Sequence, residues 1–268
     1  MNMKTLEGDK MELNKEYVQT GIHGFDKLFK HGIPKGSTVL IAGGTGSGKT
    51  NFALQILANQ AKKGGNCYYM GFEESEDRII EHMNDFGWEP EELIKTGNLK
   101  IKRFLTSEIY YYDRKEEGEI QAMMTKEIDP LLMELEPLAI TEDVGFKPDF
   151  IVLDSLTAIS STFRGREQSY RFYVERLFRF FEKIGSTNFL VTETDQMPEV
   201  FSPTGVEEFL ADGVIVFYNF RKENVRESAI EVLKMRGENH QKKIVAFKIT
   251  DNGIKVFPEQ EVFGVIHS

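Results

Sequence analysis

An eight-residue glycine-rich stretch, Gly43-Gly44-Thr45-Gly46-Ser47-Gly48-Lys49-Thr50, carries the clearest chemistry in this sequence. It fits the pattern G-x-x-x-x-G-K-[ST], in which glycines let backbone N–H groups converge on phosphate oxygens. In this pattern Lys49 brings a positive charge to the β- and γ-phosphates, and the Thr50 hydroxyl can bind Mg²⁺. The stretch, called the P-loop below, therefore predicts a site for a nucleoside triphosphate.

Hydrolysis of a bound nucleotide needs a carboxylate that orients Mg²⁺ and a group that positions water, and three carboxylates that follow apolar, strand-like runs are the candidates. Asp154 ends the apolar run 150–153, which is the place expected for a carboxylate that orients Mg²⁺. Glu73 and Glu74 follow the run 66–72, and either of them can act as general base for water. A simpler alternative exists for each prediction: Asp154 would cap the next helix, and the two glutamates would stabilise a helix N-terminus.

Strands and helices alternate around these residues. We predict strands at 38–42, 66–72, 99–105, 150–154 and 188–194, with helices after the P-loop, after the capping residue Ser75 and over 167–184. From residue 213 onward, four short strand-like runs follow one another without an intervening helix, at 214–218, 229–235, 244–249 and 254–257. This order predicts an α/β fold with a mainly parallel central sheet, flanking helices and a C-terminal antiparallel extension.

The composition indicates a globular protein. The chain has 268 residues, of which 40% are hydrophobic and 28% charged, and we expect one α/β domain over residues 1–268. No apolar run approaches the roughly 20 residues of a membrane span, and the first residues lack the apolar core of a signal peptide. We therefore expect a soluble, cytoplasmic protein with no membrane partner. The single cysteine, Cys67, is predicted to be buried and excludes a disulfide framework.

Negative charge is concentrated in one segment. The formal net charge is −10, which opposes binding to polyanions. Residues 105–149 hold twelve acidic and four basic side chains, a net charge of −8, and include a predicted helix near 119–135. This acidic segment is either a solvent-exposed surface segment with no binding role or a contact site for an unidentified protein partner.

The motifs together resemble the KaiC branch of the RecA-like P-loop ATPases, as a member with a single such domain. The resemblance covers nearly the whole chain and rests on the P-loop and on residues 20–26, 72–75, 153–155, 206–213 and 234–240. It implies that the ligands are ATP and Mg²⁺, that the reaction is ATP hydrolysis, and that the pair Glu73 and Glu74 is catalytic.

The resemblance also implies a homo-oligomer, usually a hexameric ring that acts as a molecular switch, with ATP at the boundary between subunits. Lys234 and Arg236 would then reach the γ-phosphate bound to the neighbouring subunit, since strand alternation puts both on one face. The alternative is that they are edge-strand cations that discourage aggregation. The phosphorylatable Ser-Thr pair of the family would fall near Glu208 and Phe209, so autophosphorylation is not expected.

Two other functions remain open from the sequence. One is a recombinase-paralogue ATPase that binds DNA, and the other is a slow, nucleotide-gated scaffold that signals through the acidic segment. The loop 196–206 lies where RecA-type recombinases contact DNA, yet it contains no Lys or Arg. Arg171, Glu175 and Arg179 are spaced four apart, which predicts a salt-bridged solvent face. DNA binding is therefore possible but not favoured.

Overall fold

The structure is a computed structural model that describes residues 15–105, 145–196, 198, 200–222 and 225–262. Nearly all of the acidic segment, including the helix predicted near 119–135, lies outside the described residues. Elements are numbered below in chain order within the described part of the chain.

A nine-stranded sheet forms the centre of the fold. Its strands are β3 (Thr38–Gly43), β4 (Cys67–Gly71), β5 (Leu99–Arg103), β6 (Phe150–Asp154), β7 (Thr187–Glu193), β8 (Gly213–Lys222), β9 (Val225–Met235), β10 (Val245–Thr250) and β11 (Gly253–Glu261). Their order across the sheet is β11-β10-β9-β8-β3-β7-β6-β4-β5. Strands β8, β3, β7, β6, β4 and β5 pair in parallel, whereas β8 to β11 pair antiparallel. The predicted fold class, including the antiparallel extension, is confirmed.

Helices cover both faces of this sheet. They are α1 (Lys49–Lys62), α2 (Glu76–Asp85), α3 (Pro90–Lys95), α4 (Leu156–Ser161), α5 (Glu167–Ile184) and α6 (Val206–Leu210). Because side chains alternate along a strand, Val39 and Ile41 of β3 pack with α1, while Leu40 belongs to the core under α4 and α5. A short antiparallel ribbon of β1 (Tyr17–Val18) and β2 (Ile33–Pro34) precedes the sheet.

The long helix α5 has the bounds that its periodicity predicts. Its apolar stripe is buried, and it is followed by Gly185, which takes the left-handed conformation (φ 74°) that favours glycine after a helix. On its solvent side Arg171 and Glu175 form the predicted ion pair, at 3.5 Å. None of the described helices combines the length and the apolar character needed to cross a membrane.

Strands β8 and β9 are longer than the apolar pattern predicts. The sequence indicated 214–218 and 229–235, but pairing continues outward through Asn219–Ser228 to Lys222–Val225. Backbone hydrogen bonds of a hairpin do not require apolar side chains. A prediction based on hydrophobicity therefore does not detect the polar ends of these strands. The helices α3 and α4 were also missed, because six residues are too few to show a helical period.

Candidate nucleotide-binding site

A cavity of about 240 Å³ opens at the carboxyl ends of the parallel strands. It lies beside the P-loop, at the edge of the sheet where open α/β folds bind ligands. The residues that line it come from the P-loop, from the ends of β6 and β7, from the segment after β4 and from β10: Gly46, Gly48, Lys49, Thr50, Asn51, Glu73, Asp154, Ser155, Val191, Glu193 and Ile249.

The P-loop runs from the end of β3 into α1 through two left-handed glycines, Gly46 (φ 72°) and Gly48 (φ 96°). A β-carbon on Gly48 would also lie 3.2 Å from Cδ1 of Ile249. The Lys49 ammonium donates a hydrogen bond of 2.9 Å to the Gly44 carbonyl. Burial lowers the pKa of Lys49, whereas the charges of Glu193, Asp154 and Glu73 oppose that shift. A negatively charged phosphate group in the cavity would likewise raise the pKa of Lys49 and keep its ammonium group charged.

Thr50 and Asp154, the two residues predicted to bind Mg²⁺, lie next to each other in this cavity. The Thr50 hydroxyl donates a hydrogen bond of 2.7 Å to Oδ2 of Asp154, and the Tyr69 hydroxyl donates to the same oxygen at 3.2 Å. Burial raises the pKa of Asp154 to about 6, although both hydroxyls act in the opposite direction. At neutral pH the carboxylate is therefore mainly ionised. Both side chains offer oxygen atoms, which are the ligands that Mg²⁺ prefers.

Of the two adjacent glutamates, Glu73 lines the cavity and Glu74 does not. The Ser155 hydroxyl donates a hydrogen bond of 2.8 Å to Oε1 of Glu73, and Ser155 Oγ also accepts one from the amide of Ala158, which caps α4. Glu74 instead faces Arg78, with 3.9 Å between Oε2 and Nε. Ser75 accepts a hydrogen bond from the Arg78 amide and caps α2, as predicted.

Glu193, which the sequence analysis missed, contributes a third carboxylate to the cavity. It ends β7, its amide donates to Thr157 at 2.8 Å, and its Oε1 accepts a hydrogen bond of 3.3 Å from the Thr45 hydroxyl. The signal that identified Asp154, a carboxylate at the end of a buried parallel strand, applies equally to Glu193. Tyr69 carried no such signal, because its role depends on β4 lying beside β6.

Lys234 and Arg236 lie close together but do not line the cavity of their own chain. The Lys234 ammonium donates to the carbonyls of Glu208 (2.8 Å) and Ala211 (2.6 Å). The Arg236 guanidinium donates to the carbonyls of Phe209 (2.5 Å) and Leu210 (3.3 Å). Both cations therefore cap the C-terminal end of α6, where the helix dipole favours positive charge.

Comparison with known proteins identifies a family that matches most of this chain. The family described as "ATPase: KaiC" matches residues 18–261. A UPF0273 protein of Thermotoga maritima is 30% identical over 245 residues, which make up 91% of this chain and 96% of that protein. Among solved structures, a KaiC-like protein of the hyperthermophilic archaeon Pyrococcus horikoshii has a TM-score of 0.73 and 30% identity, covering 91% of this chain and 100% of that one.

Longer relatives also match. The circadian clock oscillator protein KaiC of Acaryochloris marina is 31% identical over 253 residues, which cover 94% of this chain but 46% of that protein. The chain thus spans about half the length of this curated relative, whereas it matches the Thermotoga and Pyrococcus proteins over nearly their full lengths. The family match, the shared RecA-like fold and the position of the P-loop agree with one another. The chain therefore belongs to the KaiC family of ATPases.

Proposed function

We propose that this protein binds ATP on the P-loop and hydrolyses it in a reaction that depends on Mg²⁺. The observation that carries this proposal is the 2.7 Å hydrogen bond between Thr50 and Asp154, in the same cavity as Lys49 and Glu73. Thr50 and Asp154 would hold Mg²⁺, which when bound offsets charge on the β- and γ-phosphates. Lys49 would exchange its bond to the Gly44 carbonyl for contacts with those phosphates.

Glu73 is the general base in this proposal. Ser155 orients its carboxylate toward the cavity, where a water molecule can lie between Glu73 and the γ-phosphate. Glu73 takes a proton from this water as its oxygen bonds to the γ-phosphorus, and the bond from that phosphorus to the β–γ bridging oxygen breaks. The products are ADP and inorganic phosphate. The contact of Glu74 with Arg78 leaves Glu74 a supporting role at the start of α2.

We expect the substitution Asp154→Asn to impair Mg²⁺-dependent hydrolysis more than ATP binding. An amide keeps a hydrogen-bond acceptor for Thr50 but lacks the negative charge that stabilises a hydrated Mg²⁺ ion. Steady-state hydrolysis across a Mg²⁺ titration, alongside calorimetric binding of ATP, measures both effects. Asp149→Asn, which changes a carboxylate one residue before β6, is the matched control. Unchanged hydrolysis in Asp154→Asn would show that another group orients the metal.

The proposal extends to catalysis shared between subunits of a ring. Within the described residues that line the cavity, Lys49 is the one basic side chain, against Glu73, Asp154 and Glu193. Charge that develops on a transferring phosphoryl group needs more positive charge than this, and related hydrolases supply it with an arginine from outside the site. Lys234 and Arg236 of a neighbouring subunit are the candidates, and a head-to-tail arrangement would repeat to close a ring.

A mixing experiment tests shared catalysis. We expect Arg236→Ala and Lys49→Ala to be inactive alone, because the first lacks the donated cation and the second cannot hold ATP. Mixed assemblies should regain part of the hydrolysis rate, since some intact P-loops then face an intact Arg236. Arg226→Ala, at the opposite end of β9 from Arg236, is the control that should stay active alone. Normal hydrolysis by assembled Arg236→Ala would refute the donated role.

A further inference from the structure

Tyr69 is placed beside the residues predicted to bind Mg²⁺ by the position of β4 in the sheet. β4 and β6 pair in parallel, with Gly71 opposite Asp154. The Tyr69 side chain is 3% exposed, and its hydroxyl donates a hydrogen bond of 3.2 Å to Oδ2 of Asp154. The ring of Tyr69 therefore belongs to the core, while its polar end contacts a carboxylate that lines the nucleotide cavity.

Gly71 leaves the space that the ring of Tyr69 needs. A β-carbon at position 71 would lie 3.0 Å from Cε1 of Tyr69, closer than the roughly 3.5–4.0 Å at which carbon atoms normally pack. The ring is thus packed against the backbone of its own strand. Because side chains in a close-packed interior occupy one well-defined rotamer, the hydroxyl is held in place beside Asp154.

The two oxygen atoms of the Asp154 carboxylate have different surroundings. Oδ2 accepts hydrogen bonds from both Thr50 and Tyr69, whereas none of the hydrogen bonds in the described part of the chain ends on Oδ1. Two donors on one oxygen restrict the rotation of the carboxylate. They also leave Oδ1 as the oxygen with free acceptor capacity, which a hydrated Mg²⁺ ion requires.

We propose that Tyr69 is a positioning residue for the metal: its hydroxyl holds Oδ2 of Asp154, so that Oδ1 remains available to Mg²⁺ or to a water molecule in its shell. This inference rests on the proposed function, because it needs Thr50 and Asp154 to hold the metal. The Thr50 hydroxyl is itself a candidate metal ligand, so its position depends on the ion. Tyr69 supplies a donor that does not bind the metal, and such donors orient metal ligands in other proteins.

The substitution Tyr69→Phe keeps the buried ring and removes only the hydroxyl. We expect it to raise the dissociation constant of Mn²⁺ from the protein–ADP complex about 10- to 100-fold, the usual effect of losing a group that orients a metal ligand. Mn²⁺ takes the oxygen ligands that suit Mg²⁺, and its electron paramagnetic resonance signal reports the free ion. Protein in excess over ADP keeps the nucleotide bound during the titration. ADP affinity without metal should not change, because Tyr69 does not line the cavity.

Tyr218→Phe is the matched control. The Tyr218 hydroxyl also donates to a carboxylate, that of Glu231 at 2.7 Å, and neither residue lines the cavity, so this variant should bind Mn²⁺ like the parent chain. Gly71→Ala is a second variant, which keeps the Tyr69 hydroxyl but places a methyl group against the ring. We expect it to weaken Mn²⁺ binding as well, and it tests the proposal if circular dichroism shows that Tyr69→Phe does not fold.

The double variant Tyr69→Phe/Asp154→Asn shows whether Tyr69 acts through Asp154. If it does, the double variant should bind Mn²⁺ no more weakly than Asp154→Asn alone. Losses that add would overturn the proposal, as would unchanged Mn²⁺ affinity in folded Tyr69→Phe, and in both cases Asp154 can still hold the metal as the proposed function requires. If Asp154→Asn itself binds Mn²⁺ like the parent chain, the metal site of the proposed function fails together with the role of Tyr69.

Discussion

Replacing Lys49 with Ala is expected to abolish measurable ATP binding. Lys49 is the one basic side chain among the described residues that line the cavity, so its loss leaves the phosphates facing Glu73, Asp154 and Glu193. Hydrogen bonds to charged groups contribute up to about 3 kcal/mol each, and losing one such contact lowers affinity roughly 100-fold. Repulsion from the three carboxylates adds to this loss. Isothermal titration calorimetry with Mg²⁺ and ATP measures the change.

The matched control is Lys62→Ala, at the other end of the same helix, where the ammonium pairs with Glu89 at 2.9 Å on the surface. This variant should bind ATP like the parent chain. Thermal unfolding of both variants without nucleotide separates a loss of binding from a loss of fold. ATP affinity within a few-fold of the parent value in folded Lys49→Ala would contradict the P-loop assignment.

Glu73→Gln is expected to leave ATP binding intact and to slow hydrolysis by about 10²–10⁴-fold, the usual contribution of a general base. The amide keeps the size and polarity of the side chain and can still accept a hydrogen bond from Ser155, but it cannot take a proton from water. Single-turnover hydrolysis of prebound ATP measures the chemical step apart from nucleotide exchange.

Glu74→Gln provides a control that differs by one position. Its carboxylate lies outside the cavity and faces Arg78, so we expect a rate within a few-fold of the parent chain. The double variant should then resemble Glu73→Gln alone. A large loss in Glu74→Gln with an unchanged rate in Glu73→Gln would reverse the assignment between the two glutamates.

Local patterns predicted the part of the site that depends on neighbouring residues in the sequence. The P-loop is recognisable because its glycines, Lys49 and Thr50 all act within one strand–loop–helix unit. Asp154 follows from a rule of the same kind, a carboxylate at the end of a buried strand. The fold class was predictable for the same reason, since strand and helix periods are local properties.

Contacts between segments that are distant in the sequence could not be predicted from local patterns. Adjacent Glu73 and Glu74 look equivalent in the pattern, and only the approach of Ser155, 82 residues later, distinguishes them. Strand alternation did not indicate that Lys234 and Arg236 bind the carbonyls at the end of α6, because that contact depends on how β9 pairs with β8.

The position of β3 in the sheet has a consequence for the synthesis of this protein. β3 leads into the P-loop, yet both of its neighbours come from late in the chain: Asn188 follows Thr38 by 150 residues, and Asp212 follows it by 174. Closing such long loops is entropically costly and delays the pairing of distant strands. As the chain leaves the ribosome, β3 therefore has no partner strand until residues beyond 187 have been made. We therefore expect the P-loop to be held in its folded position only near the end of translation.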